Sequence, residues 1–444
     1  MQDLQFIFSS FSYNSDKLEY SFNYEIEGDK TYKFTEKIIL PFLKQNADKR
    51  LLDRILFSLH LVLGISYWKT FCPRKILIKS GSLSKKQAKF WNELYTKGLG
   101  EFFYKNKIDY RGLIQFPFDE DFTDQTIDTD LQVTDRALVG IGGGKDSIVA
   151  AKILKKNHYP FCGLVIDAQC GNELLQTFAA MIAPDTLTIK RQIDQRLITL
   201  NKQNDVYNGH VPISAINAAI GVLAAVLYDY KYVIVGNEKS ADYGNVEYLG
   251  SMINHQWSKS SEFEKLFCSY VEENLTNSVT YFSLLRPYSE LRITQLFAQY
   301  PDYFKHFTSC NRNFSITKSF EKKWCCACPK CAFVFVMLSS FLKKDDVIQI
   351  FGENLLDKIS LINTYKELLG IKGIKPFECV GTPDEVVVAF YLTYEKHEFD
   401  DDLSMKMFMT EVLPELKNIE QMKQDAFATG DISSIPEAFR NLFE

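Results

Sequence analysis

The chain has 444 residues, 46% of them apolar and 24% charged, with a formal net charge of −5. That length and balance predict a folded protein of two or three domains and exclude an intrinsically disordered chain. The mild acidity argues against a large nucleic-acid footprint. Met1-Gln2-Asp3-Leu4 does not open a basic stretch followed by an apolar core, so no secretion signal is predicted.

Residues 1 to about 45 alternate aromatic and polar side chains, as in Phe6-Ile7-Phe8 and Tyr20-Ser21-Phe22-Asn23-Tyr24, which predicts antiparallel strands turning at Glu27-Gly28-Asp29. A helix follows over 48–65, with Leu51, Ile55, Leu59 and Val62 on one side, then a strand at 76–78 and a helix over 85–95. No recognisable chemistry is carried here, and a scaffold or lid is expected. The acidic run Asp119-Glu120-Asp121-Phe122-Thr123-Asp124 reads as a linker.

From about residue 134 the pattern changes to strands at 137–141, 161–166, 186–189 and 232–235, alternating with helices after Gly144, over 172–181 and over 214–227. Such repetition predicts a doubly wound parallel sheet with ligands beyond the carboxyl ends of its strands. Gly142–Ser147, Asp167-Ala168-Gln169 and Gly236-Asn237-Glu238 all fall at such ends. The apolar run 215–228 is too short to span a bilayer comfortably and reads as a buried helix. The polar runs 240–245 and 254–260 suit a hydrogen-bonding substrate loop. Ser289 caps a further helix, and the remainder reads as helical apart from a loop over 370–382. The domains are therefore placed at 1–130, 134–300 and 301–444.

Two stretches carry chemistry. In Gly140-Ile141-Gly142-Gly143-Gly144-Lys145-Asp146-Ser147, a strand breaks into three glycines and resumes as a helix. A helix N-terminus behind a glycine turn aims free N–H groups and a positive dipole end at an anion, which makes a phosphate cradle. Lys145 adds a mobile cation, Ser147 a hydroxyl, and Asp146 a carboxylate for Mg2+. The Walker spacing fails because Asp146 follows Lys145, and the dinucleotide fingerprint fails because Lys145 stands where its third glycine belongs. In the second stretch, Cys325, Cys328 and Cys331 are spaced by two residues, and Cys310 supplies a fourth thiolate. Four thiolates suit a closed tetrahedral zinc site, with an iron–sulfur cluster as the rival. Cys326 breaks the spacing and is expected to point elsewhere.

Gly142–Ser147 resembles the Ser-Gly-Gly-x-Asp-Ser loop of the PP-loop ATP pyrophosphatase superfamily, with Gly142 in place of the first serine. The resemblance implies a HUP-type α/β fold and cleavage of ATP between its α and β phosphates. A closer resemblance rests on more motifs. Besides the loop these are Pro212-Ile213-Ser214-Ala215-Ile216-Asn217, Gly236-Asn237-Glu238, Asn254-His255-Gln256, Ser309-Cys310-Asn311-Arg312, Cys325-x-x-Cys328-Pro329-Lys330-Cys331 and Ile374-Lys375-Pro376-Phe377-Glu378-Cys379-Val380-Gly381. Together they resemble the UDP-N-acetyl-α-D-muramoyl-L-alanyl-L-glutamate epimerase family, over about residues 135 to 385.

That resemblance implies a cytoplasmic enzyme of peptidoglycan precursor synthesis, converting the terminal L-Glu of UDP-MurNAc-L-Ala-L-Glu to D-Glu through an acyl-adenylate, with AMP and diphosphate released. Gly142, Gly143, Gly144, Lys145 and Ser147 are then expected to cradle phosphates, and Asp146 to help hold Mg2+. Asp167 and Gln169 are placed near adenosine. Asn237, Glu238, Lys259, Arg286 and Arg312 are assigned to the substrate, and Cys379 and His255 to acid–base work. No nucleic-acid or membrane partner is expected. The loop and cysteines serve equally for a zinc-containing amide ligase or thiolase acting on a nucleobase or tRNA. Gly142 in place of serine leaves a nucleotide-binding adaptor with a decayed loop as a non-enzymatic alternative.

Overall fold

The computed structural model describes residues 4–42, 48–122, 131–169, 171–183, 185–314 and 323–443. Thr123 and Asp124 of the acidic linker lie outside the described residues. The strands are β1 (Gln5–Asn14), β2 (Glu19–Glu27), β3 (Tyr32–Ile39), β4 (Lys75–Ile78), β5 (Ala137–Gly140), β6 (Phe161–Asp167), β7 (Thr186–Gln192), β8 (Tyr232–Val235), β9 (Val246–Tyr248), β10 (Ser251–Ile253) and β11 (Thr280–Ser283). β9 and β10 pair with each other, and the rest form one nine-stranded sheet in the order β11-β8-β5-β6-β7-β3-β2-β1-β4.

From β11 to β7 every pairing is parallel. At β7 the sheet turns antiparallel, β3 joining through Lys37↔Gln192, Ile38↔Arg191 and Ile39↔Lys190. The N-terminal strands therefore extend the α/β sheet. The seam holds a buried ion pair, Arg191 Nε donating to Glu36 Oε1 at 2.6 Å. A buried charge needs such a partner.

Alternation along the parallel strands feeds two cores. Leu138, Leu164, Val233 and Tyr281 face a core shared with helices Lys49–Trp68 and Ile213–Tyr228. Ala137, Val139, Val165, Ile234 and Phe282 face the other core, with helices Lys145–Lys156 and Glu173–Ile182 and the C-terminal helices. A parallel sheet buried on both faces needs this near-continuous apolar composition. Lys49–Trp68 is long and apolar enough to cross a membrane by length and composition, and is mostly buried here.

Strand order reverses at β5, which has β6 on one side and β8 on the other. A crevice opens at such a reversal because the connections leave to opposite faces. The loop after β5 carries the glycines, and the loop after β8 carries Gly236-Asn237-Glu238. These loops touch: a Cβ on Gly236 would stand 3.1 Å from the backbone oxygen of Asp146. A side chain there would crowd that oxygen, and glycine avoids it.

Candidate active site

The loop after β5 turns through Gly143 at φ +87°, and Gly144 caps the helix without a side chain. Gly142 is exposed with open space around its Cα. The segment 308–310 lies against the loop: Thr308 donates its N–H to the Gly143 carbonyl, and a Cβ on Gly144 would meet Ser309 Oγ at 3.0 Å. Ser147 is buried and donates to the Gly144 carbonyl at 2.9 Å.

Lys145 is turned inward. Its ammonium donates to Asp146 at 2.5 Å and to Glu290, and it is 1% exposed. Burial alone would lower its pKa; the two carboxylates more than offset this and raise it. Glu290 opens the helix Glu290–Phe297 behind the Ser289 cap, and its second oxygen lies 3.8 Å from Lys330 Nζ. Glu238 comes from the loop after β8. Asp146, Glu238 and Glu290 bring carboxylate oxygens within 4.8 Å of one another. Glu238 Oε1 is buried without a hydrogen-bond partner. Burial, and next the neighbouring Glu290, push its carboxyl up to about 7. Three oxygen donors with one orphaned atom fit a hard divalent cation such as Mg2+.

Beside this charged group lies a cavity of about 760 Å³. Its lining includes Asp167 and Gln169 from the end of β6, and His210, His255, Lys259 and Cys379. Among the described residues, Gly142–Ser147 are not part of that lining. The Asp167 carboxylate accepts the backbone N–H groups of Gln169, Gly171 and Asn172, shaping its own loop.

Cys379 and His255 meet on this wall, Sγ lying 3.9 Å from Nε2. The other ring nitrogen of His255, Nδ1, lies 2.5 Å from Glu101 Oε2. Glu101 stands on the short helix Gly100–Asn106 of the N-terminal region and is also paired with Lys105. For Cys379, burial would raise the pKa, but Lys259, His255 and Lys330 together bring the thiol down to about 5. For His255, burial would lower it, but hydrogen bonds to Cys379 and Glu101 bring it up to about 9. His210 is kept neutral, down to about 3, by burial and next by the charge on His255. Its Nδ1 is 3.4 Å from Glu101 Oε2.

The polar run 240–260 holds this arrangement together. Asn245 donates to the carbonyls of Lys375 and Pro376 and accepts the His255 N–H. Gln256 donates to the Val380 carbonyl. These bonds clamp the loop that carries Cys379 against His255. Lys330 donates to the Cys379 carbonyl, so the cysteine-rich segment grips the same loop.

Cys310, Cys325, Cys328 and Cys331 converge, with ligand atoms within 4.8 Å of one another. The Cys325–Cys331 and Cys328–Cys331 sulfurs are 3.7 and 3.5 Å apart. Thiolates about 2.3 Å from a tetrahedral zinc ion would be about 3.8 Å apart, so the set fits zinc. Cys326 takes φ +54° and directs its thiol to the Trp324 and Phe351 carbonyls, away from the group.

Other residues singled out in the sequence lie elsewhere. The Arg286 guanidinium is buried and spent on Glu264 and on the carbonyls of Glu238 and Lys259, so it braces these loops and is not presented to a ligand. Arg312 is exposed, and its neighbour Asn311 lines the cavity instead. Asn237 is buried, its carbonyl accepting from Ser283 Oγ. Glu101, His210, Glu290 and Lys330 were not singled out. Glu101 is distant in sequence from every motif, whereas His210 lies two residues before the Pro212–Asn217 motif, Lys330 sits inside the cysteine motif and Glu290 follows a helix cap.

Family models for the MurL N-terminal domain and the MurL C-terminal domain match residues 2–284 and 306–424. Three relatives carry the name UDP-N-acetyl-alpha-D-muramoyl-L-alanyl-L-glutamate epimerase. That of Xanthomonas oryzae pv. oryzae is 37% identical over 399 residues, covering 90% of this chain and 87% of its own. That of a Micromonospora species is 36% identical over 453 residues, covering 98% and 96%. That of Salinispora tropica is 36% identical over 402 residues, covering 89% and 86%. With both domain models matched in order and relatives aligned over nearly their whole lengths, the chain belongs to the MurL family of UDP-N-acetyl-α-D-muramoyl-L-alanyl-L-glutamate epimerases.

Proposed function

We propose that this enzyme inverts the α-carbon of the terminal L-glutamate of UDP-MurNAc-L-Ala-L-Glu in the cytoplasm, activating the adjacent carboxylate as an acyl-adenylate at the cost of ATP. One observation carries the reading. A thiol–imidazole–carboxylate line, Cys379–His255–Glu101, lies on the wall of a large cavity beside a glycine loop and three clustered carboxylates at the strand-order reversal.

The chemistry asks for both halves. Removing a proton next to a free carboxylate would place two negative charges on adjacent carbons. Adenylation neutralises that carboxylate and withdraws electrons, which brings the α-proton within reach of a protein base. The N–H groups at the start of helix Lys145–Lys156, with Lys145, stabilise charge building on diphosphate. Lys145 would reach it by exchanging Glu290 and Asp146 for phosphate oxygens. Asp146, Glu238 and Glu290 would hold Mg2+, which neutralises phosphate charge when bound. Asp167 and Gln169 supply a polar edge to the cavity for adenosine. Lys259, beside Cys379, is a lining cation suited to a substrate anion, whereas Arg191 of the same lining is paired with Glu36.

Zinc at Cys310, Cys325, Cys328 and Cys331 would be structural. It would fix 308–310 on the glycine loop and Lys330 against Glu290 and Cys379. The acidic chain favours a small nucleotide-sugar peptide over a tRNA.

Four outcomes are expected. Substrate-dependent release of AMP and diphosphate, followed by chromatography, should fall by at least about a hundredfold in Lys145→Ala and in Asp146→Asn; undiminished release contradicts the phosphate assignment. The pH profile of kcat/KM should be a bell. It is lost as pH falls through about 5, where the Cys379 thiolate takes a proton, and lost as pH rises through about 9, where His255 gives one up. Glu101→Gln should move the alkaline limb to lower pH, because a carboxylate that holds the imidazolium proton is gone. Metal analysis of the purified protein should give one zinc per chain, lost with a drop in Tm in Cys328→Ser; an intact Tm and no metal in either protein contradicts the zinc site.

A further inference from the structure

Inversion at a planar carbon needs protons exchanged on opposite faces. Two groups each about 3 to 3.5 Å from that carbon on opposite sides stand about 6 to 7 Å apart. Cys379 Sγ and His255 Nε2 are 3.9 Å apart and bonded to each other. They form one unit on one side, not a pair straddling the substrate. The order thiol, imidazole, carboxylate, with Glu101 orienting the ring from behind, is that of an activated nucleophile. Cys379 lines the cavity, and its backbone carbonyl is gripped by Lys330, which reaches across to Glu290 in the charged group. The nucleophile is thereby tied to the place where the adenylate would form.

We propose that Cys379 carries the glutamyl group as a thioester between adenylation and product release. This rests on the reading of the site as an adenylating epimerase. The Cys379 thiolate attacks the carboxyl carbon of the acyl-adenylate. An S–C bond forms, the C–O bond to phosphate breaks, and AMP leaves with the electron pair. In the thioester, sulfur donates poorly into the carbonyl, so the α-proton stays acidic. A thioester also resists water better than a mixed anhydride, which gives inversion time to precede hydrolysis. His255 no longer faces a thiolate and gives its extra proton to the departing AMP phosphate, the step for which the imidazolium is needed. The neutral ring then takes the α-proton, and a proton from solvent water in the cavity is delivered to the opposite face of the carbon. Water finally adds to the carbonyl carbon, the C–S bond breaks, and the free acid and the thiolate–imidazolium pair are regenerated.

The test uses the full-length enzyme turning over ATP, Mg2+ and UDP-MurNAc-L-Ala-L-Glu, quenched in acid at a series of times. AMP and the Cys379 peptide are measured in the same samples by mass spectrometry. The Cys379 peptide should gain the mass of the substrate acyl group, and the adduct should be released by neutral hydroxylamine. Cys379→Ser, which is nearly isosteric, should lose inversion by about a thousandfold or more. AMP release and inversion with the Cys379 peptide unmodified at every time would overturn the thioester while leaving the adenylating epimerase standing. Inversion persisting in Cys379→Ser would also overturn it. Absence of AMP from the wild-type enzyme would overturn the underlying reading, and the thioester with it.

Discussion

Glu290 is almost fully buried between two lysines, and the site is assembled around it. One oxygen takes Lys145 from the glycine loop; the other faces Lys330 from the cysteine-rich segment. Its backbone N–H donates to Glu385, which opens the helix following the Cys379 loop. A carboxylate removed from water must keep its counter-charges or be protonated. This buried group therefore couples three segments far apart in sequence, and moving any one leaves charge uncompensated. The C-terminal helices also share an apolar core with helix Lys145–Lys156.

A second constraint is the reversal of strand order at β5. It fixes where the crevice opens, and beside it Gly236 packs closely on the Asp146 backbone. The N-terminal strands and helices meet this crevice through Glu101, which orients His255 and pairs with His210. The region expected to be a scaffold thus contributes a side chain to the candidate active site.

What was legible in the sequence is what local pattern encodes. Alternating aromatics gave β1 to β3, the β–α rhythm gave β5 to β8, and the Ser289 cap was read in place. Cysteine spacing pointed to Cys325, Cys328 and Cys331, because a two-residue spacing at a helix start presents Cys328 and Cys331 to one point, and Cys310 joins them from the preceding segment with Cys326 excluded. The joining of β3 to β7 was not legible, since strand pairing across some 150 residues leaves no local trace. Glu101 was hidden for the same reason, and its neighbour Lys105 makes it resemble an ordinary surface pair. Arg286 is the converse case: the resemblance assigns it to the substrate, and only the fold shows its terminal nitrogens bonded to Glu264 and two carbonyls. The glycine loop was found by its spacing, but the inward turn of Lys145 depends on Glu290, which no motif announces.

The most direct measurement follows the α-hydrogen. The enzyme is incubated in deuterated water with UDP-MurNAc-L-Ala-L-Glu, Mg2+ and ATP, and the recovered glutamate is analysed for configuration and isotope beside the AMP formed. The account predicts D-glutamate carrying deuterium at its α-carbon, with AMP appearing and neither product forming when ATP is withheld. Inversion without ATP, or AMP release with the L-configuration and the α-hydrogen both retained, would contradict it.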